Sequence, residues 1–162
     1  MHQLQTSFSS PIGFLSLQFN NQKICKIETF QDSKSTLLGS QEDSCLVEAK
    51  RQILAYLKGI RREFRLPFDI PGQGLKKRIY ETVLLIPYGA TSSYSLIAEK
   101  VGIQNGARIV GLAMAENPLP LLIPCHRVIL KSGSAGGYLL GGSSVKKYLL
   151  SMEANYDKKE IL

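Results

Sequence analysis

The chain has 162 residues, of which 44% are hydrophobic and 20% charged, and a net charge of +7. That length allows one domain or two small ones, and the composition is ordinary for a soluble globular protein. No apolar run approaches the ~20 residues of a membrane span, and Met1–Thr6 lacks the basic and apolar regions of a secretory signal. An intracellular protein is the expectation.

The charge is uneven. Residues 1–60 hold six Lys/Arg against five Asp/Glu, and residues 61–162 hold fourteen against eight. A basic C-terminal part suits a polyanionic partner through phosphate neutralisation. The three cysteines, Cys25, Cys45 and Cys125, form no disulfide framework and fit a reducing compartment. Cys25 and Cys45 read as core thiols. A zinc site from His2, Cys25 and Cys45 finds no CxxC or HxxxH spacing, so no metal is expected.

In chain order, residues 6–30 read as short antiparallel strands. Phe8, Ile12, Phe14, Leu15, Leu17 and Phe19 nearly alternate, Pro11 and Gly13 interrupt, and Asn20-Asn21 signals a turn before Ile24-Cys25-Lys26-Ile27. Residues 31–44 are polar and read as loop. Leu46, Val47, Ile53, Leu54 and Leu57 predict a helix that Gly59 ends. The arginines of Arg61-Arg62-Glu63-Phe64-Arg65 fit a solvated run better than a DNA contact. Pro67, Pro71, Gly72 and Gly74 then mark a connection, dividing the chain into 1–72 and 73–162.

The second part reads as mostly helical. Leu75, Ile79, Val83 and Leu84 share a face, and Pro87-Tyr88-Gly89 stops that helix. Thr91-Ser92-Ser93 offers caps for a second helix carrying Tyr94, Leu96, Ile97 and Val101. A turn at Gly102–Asn105 and a third helix from Gly106 to Glu116 complete a helix-turn-helix pattern. On the third helix Ile109, Val110, Ala113 and Met114 are expected inward. Arg108 lies opposite, flanked by Ala107, Gly111 and Ala115. Such a small-residue face suits close approach to a narrow minor groove or to a neighbouring helix. Asn117-Pro118-Leu119-Pro120 reads as extended. The glycine-rich stretch 131–142 lacks the order of a phosphate-binding loop. Ser143 or Ser144 is expected to cap a last helix with Val145, Tyr148, Leu149 and Met152 inward and Glu153 at the stripe's edge, needing a partner. The charged tail from Asn155 is expected to fray.

Between these elements, Ile123-Pro124-Cys125-His126-Arg127-Val128 sets a cysteine beside a histidine. A thiol is a good nucleophile only as thiolate, and apolar burial raises its pKa. An adjacent imidazole can take the proton. A buried structural cysteine beside a histidine has the same composition, so the pair alone leaves both readings open.

Pro-Cys-His-Arg-Val, preceded by Asn117-Pro118-Leu119-Pro120-Leu121-Leu122-Ile123, resembles the active-site signature of the O6-alkylguanine-DNA alkyltransferases, also called methylated-DNA–protein-cysteine methyltransferases. The resemblance runs from Leu75 to Glu153. The N-terminal part is similar only in size and strand–helix character. It implies a small α/β N-terminal domain and a mostly α C-terminal domain with a winged helix-turn-helix that binds the minor groove. It further implies a monomer acting on double-stranded DNA that contains O6-alkylguanine, without a cofactor, each molecule reacting once. Cys125 resembles the alkyl acceptor, His126 the base that activates it through a water, and Glu153 the acid that orients the histidine. Asn117 resembles the residue bracing the active-site turn. Tyr94, after Ser93, resembles the tyrosine that contacts the target phosphate and donates a proton to guanine. Arg108 resembles the finger that fills the stack of a flipped base, on a DNA-facing helix with Ala107, Gly111 and Ala115. Met114, Pro120, Tyr138 and the backbone of Val128 resemble parts of the base pocket.

Two departures stand out. Leu139-Leu140 makes the loop after Tyr138 longer and bulkier than the family's usual Gly-Gly-Leu approach, which bears on substrate range. Glu116 stands where relatives often carry a basic residue, which should weaken DNA affinity. The rival readings are a non-catalytic lesion binder, which carries tryptophan in place of the cysteine, a winged-helix regulator with a structural Cys-His pair, and an unrelated thiol hydrolase.

Overall fold

The computed structural model describes residues 3–30 and 43–155. His2, most of the polar stretch 31–44 and the tail beyond Asn155 lie outside the described residues. The chain divides into two compact units between Asp69 and Ile70.

The first unit is an antiparallel meander, β1 (Gln3–Ser10), β2 (Gly13–Asn20) and β3 (Lys23–Phe30), with α1 (Ser44–Leu57) against β1. Strand alternation turns Leu15, Leu17 and Phe19 into the core, where all three are buried. The β2–β3 turn is Asn21-Gln22, both with positive φ (48° and 64°), joining the paired residues Asn20 and Lys23. That geometry suits the right-handed twist of the flanking strands. Asp43 caps α1 by accepting the Cys45 N–H at 3.1 Å. Leu46, Ala49, Ile53, Tyr56 and Leu57 are its buried side, while Val47, expected inward, is exposed. Gly59, at φ +69°, ends the helix as expected. Cys25 and Cys45 are not core thiols: Cys25 is exposed and Cys45 half-buried. A register shift opposite Gln18/Phe19 lets both Ile24 and Ile27 point inward and leaves Cys25 outward between them. No group suited to a metal occurs among the described residues.

The second unit holds α2 (Gly74–Leu84), β4 (Ser92–Ser93), α3 (Tyr94–Lys100), α4 (Ala107–Ala115), a 3-10 turn at Cys125–Arg127, β5 (Val128–Ile129) and α5 (Gly142–Ala154). The Ser93 hydroxyl caps α3 by accepting the Leu96 N–H at 3.1 Å. α3 and α4 pack together as the helix-turn-helix. Gly106 permits it: a Cβ there would sit 2.7 Å from the Ile103 side chain and 3.2 Å from that of Ala98. The sheet of this unit is a two-residue parallel ladder, Ser92 with Val128 and Ser93 with Ile129. No described helix is long and apolar enough to cross a membrane.

Four expectations for this unit fail. Ile109 is 45% exposed, although Val110, Ala113 and Met114 are buried. The segment after Asn117 is a tight turn, not extended: Leu121 has φ +75° and Ile123 N–H bonds Leu119 O at 2.8 Å. The Asn117 side chain templates it, accepting from Leu119 N–H and donating to Ile123 O, both at 3.0 Å. Neither Ser143 nor Ser144 caps α5. Gly141 begins it at φ +118°, where a Cβ would meet Val145 at 2.8 Å. Finally, α5 buries Lys146, Leu149 and Glu153, with Tyr148 exposed and Val145 and Met152 only half-buried. The inward stripe is displaced by one residue because polar groups are needed on the inner side.

Candidate active site

Cys125 opens the 3-10 turn directly after the Asn117-templated loop, with its N–H bonded to Ile123 O at 2.7 Å. It is 2% exposed. Burial pushes its thiol up to about 11, against the pull of the Asn117 amide, the Lys146 cation and the backbone N–H groups of Cys125 and His126. At rest near neutral pH the sulfur is therefore protonated, and its surroundings already hold donors that favour a thiolate.

Behind it stands a buried polar cluster. His126 is fully buried and its Nε2 lies 2.7 Å from Glu153 Oε1. The carboxylate accepts there, so Nε2 carries the hydrogen and Nδ1 is the basic nitrogen of the neutral ring. Burial lowers the His126 pKa, with Glu153 opposing, so the ring is neutral and able to take a proton. Glu153 also accepts from Arg127 Nε at 2.9 Å, Arg127 Nη2 at 3.1 Å and the Gly89 N–H at 2.9 Å. Arg127 Nη1 donates to Ile86 O at 2.7 Å. Burial works against the Glu153 charge, but the hydrogen bond from His126 and the hydrogen bonds and positive charge of Arg127 more than offset it and hold the carboxyl at about 2. Glu153 thus lies at the centre of the buried stripe, not at its edge.

In front of the sulfur is a cavity of about 350 Å³ lined by Tyr94, Gly111, Met114, Ala115, Cys125, Gly137, Tyr138, Leu139 and Lys146. Of the residues expected at a base pocket, Met114 and Tyr138 line it. Pro120 and Val128 do not: Pro120 belongs to the loop behind Cys125, and Val128 O accepts from Lys146 Nζ at 2.6 Å. Burial raises the Tyr94 pKa, and negative charge at Cys125 adds to it, so its hydroxyl is a donor. Arg108 is exposed on α4, and Ala107 is half-buried. Ser93 is occupied as the α3 cap. Glu116 pairs with Lys76 at 2.5 Å, so its negative charge does not stand alone. Leu139 reaches the cavity while Leu140 is fully buried; the longer loop therefore keeps one leucine as an anchor and one as a wall.

Lys146 escapes a sequence reading, because a lysine on an amphipathic helix is expected in solvent. Here it is 1% exposed, and its Nζ also reaches the Tyr94 hydroxyl at 3.3 Å and Gly137 O at 3.4 Å. Burial lowers its pKa, with negative charge at Cys125 opposing. The signal that could have revealed it is its spacing, i+3 to Leu149 and i+7 to Glu153.

The arrangement can therefore deprotonate a buried thiol, hold a flat apolar group against it and donate hydrogen bonds to that group. Comparison with known proteins agrees in both units. The model of the 6-O-methylguanine DNA methyltransferase DNA-binding domain matches residues 74–155, and that of the family's ribonuclease-like domain matches residues 4–70. A methylated-DNA–protein-cysteine methyltransferase of Mycobacterium leprae is 39% identical over 91% of this chain and 90% of its own. The constitutive one of Bacillus subtilis is 34% identical over 91% and 93%. The crystal structure of Mycobacterium tuberculosis OGT in complex with DNA superposes with a TM-score of 0.81 at 33% identity, covering 94% of this chain and 93% of that one. With both halves matched and the buried Cys125 standing before its histidine and glutamate, the chain belongs to the 6-O-methylguanine DNA methyltransferase family.

Proposed function

We propose that this protein repairs DNA by moving an alkyl group from O6 of guanine to Cys125 Sγ, one lesion per molecule. The observation that carries the reading is the buried Cys125 at the end of an apolar cavity, backed by the His126–Glu153–Arg127 cluster. The thiol proton passes to His126 Nδ1, directly or through one water, while Glu153 holds Nε2–H. The thiolate attacks the alkyl carbon in line, the carbon–O6 bond breaks, and its electron pair stays on guanine. Tyr94, with Lys146 against its hydroxyl, donates toward the departing base, and guanine leaves neutral once a proton replaces the alkyl group. A preorganised donor of this kind acts without reorganisation as charge develops. Asn117 and Arg127 act by position, the first on the Cys125 turn and the second on Glu153.

An O6-alkyl carbon is out of reach inside a duplex, so the nucleotide must be extruded. The Gly111 and Ala115 side of α4 borders the cavity, and with Ala107 it allows close approach to a minor groove. Arg108 on the same helix fills the vacated stack. A monomer within the cell suits this reading, and the presence of Cys125 disfavours the lesion-binding rival. Titrating the protein against excess methylated duplex tests it. One lesion should be removed per molecule, with the added mass on the Cys125 peptide, and Cys125→Ser should bind without transfer because an alcohol is a far poorer nucleophile than a thiolate. More than one lesion per molecule, or label on Cys25 or Cys45, would overturn the assignment.

A further inference from the structure

Helix α4 presents two unlike halves on its exposed face. Gly111 and Ala115 lie on one side of Arg108 and border the Cys125 cavity. Leu112 lies about 40° round the helix on the other side, with Ile109 about 100° round. They are 60% and 45% exposed, so neither belongs to the core, and Arg108 is the one charged residue of Ala107–Ala115.

We infer that Leu112, supported by Ile109, is an apolar wedge that enters the minor groove on the side of Arg108 remote from the cavity and holds the groove open while the base leaves. The inference rests on the proposed delivery of the base from DNA to Cys125. A base entering past Gly111 and Ala115 leaves its duplex lying across the exposed face of α4. The part of the duplex beyond Arg108 then meets Leu112. Phosphates gain nothing from a leucine, whereas sugar walls and base steps do, and apolar side chains of this kind are used to part base steps from the minor groove. Occupancy of the ridge by duplex DNA also fits the surplus of positive charge in the same part of the chain, fourteen Lys/Arg against eight Asp/Glu over residues 61–162, which attracts a polyanion.

The test uses the full chain and the variants Leu112→Ala and Ile109→Ala/Leu112→Ala, both at exposed positions. Single-turnover alkylation of Cys125 is measured with methylated duplex and with free O6-methylguanine. The expected result is a loss of about tenfold or more on duplex, the scale of one apolar side-chain contact, with no change on free base. The salt dependence of duplex binding should keep its slope, since an apolar contact releases no counterions. An unchanged duplex rate, an equal loss on free base or an altered salt slope would overturn the wedge. So would self-association without DNA that Leu112→Ala abolishes, because the ridge would then belong to a second copy. Failure of the parent protein to alkylate Cys125 with either substrate would instead remove the proposed function itself.

Discussion

Replacing Glu153 with glutamine keeps the side-chain shape and removes one charge. The carboxylate has two oxygens in use. Oε1 accepts from His126 Nε2 and Arg127 Nη2, and Oε2 from Arg127 Nε and the Gly89 N–H. Whichever way a glutamine amide is turned, one pair of donors faces an NH2 group, and the Arg127 cation loses its counter-charge. Removing one partner of a buried ion pair typically costs ~3–5 kcal/mol. A second route gives a similar figure. The Glu153 carboxyl drops from 4.5 to about 2 on folding, and at ~1.36 kcal/mol per pH unit that is worth ~3 kcal/mol. Because the folded value is the lower one, this stability is complete above pH 4.5 and is lost as the pH falls through 2.

Urea unfolding at pH 7 should therefore show Glu153→Gln destabilised by ~3–5 kcal/mol, a large part of the ~5–15 kcal/mol that holds a domain folded. From pH 5 downward the parent should lose about 3 kcal/mol relative to the variant, so that the two curves converge. Glu153→Asp, which retains the charge, should recover part of the loss. A variant within ~1 kcal/mol of the parent at pH 7, or two parallel stability curves through the acid range, would refute the claim that Glu153 is an essential buried ion.

Arg108→Ala should slow transfer from duplex DNA at least tenfold while leaving reaction with the free base intact, a contrast expected if the guanidinium replaces an extruded base; equal losses would remove that role. Lys146→Met, similar in length but uncharged, should slow both substrates alike, because Lys146 acts at the cavity and not on the duplex; a variant with parental rates would mean that the buried cation is only structural. The transfer rate should be flat from about pH 7 to 9, since His126 is neutral there and takes the thiol proton internally. It should fall only below 6.5, as the lowered His126 pKa is approached; a tenfold rise per pH unit toward 11 would show that solvent hydroxide makes the thiolate. The Cys125-alkylated protein should unfold at lower urea than the free thiol, by ~1–3 kcal/mol, as expected for overpacking at a buried site, and unchanged midpoints would show that the cavity absorbs the group.

The helix-turn-helix is legible in the chain because its signals are local: Ser93 as a cap, Gly102 and Asn105 in the turn, and Val110, Ala113 and Met114 at helical spacing. The meander is legible for the same reason, through alternation in Leu15, Leu17 and Phe19 and the asparagine turn. What escapes a reading by hydrophobicity is the interior of the site. The apolar rule selects Val145 and Tyr148 on α5, yet Lys146 and Glu153 are the buried residues, because Val128 O, Gly137 O, His126 and Arg127 satisfy them. Ile109 fails in the opposite sense: it belongs by composition to the core and by position to a working surface. The Asn117 loop reads as extended from its prolines, since nothing local announces that one amide will close a turn across six residues.

Glu153 also bears on when the protein becomes reactive. Its partners lie 64, 27 and 26 residues away at Gly89, His126 and Arg127, and both Glu153 and Lys146 sit on α5, the last described element. Contacts over such separations form late, after loop-closure entropy has been met. A chain emerging from the ribosome N-terminus first therefore exposes Cys125 before it has either the carboxylate that aligns His126 or the cation that favours the thiolate. Through that interval the thiol has only ordinary reactivity. For a protein whose reactive thiol is consumed at first use, the helix that brings the activating groups also brings Lys146 to the cavity wall, so activated transfer begins only when the cavity that selects its substrate is complete.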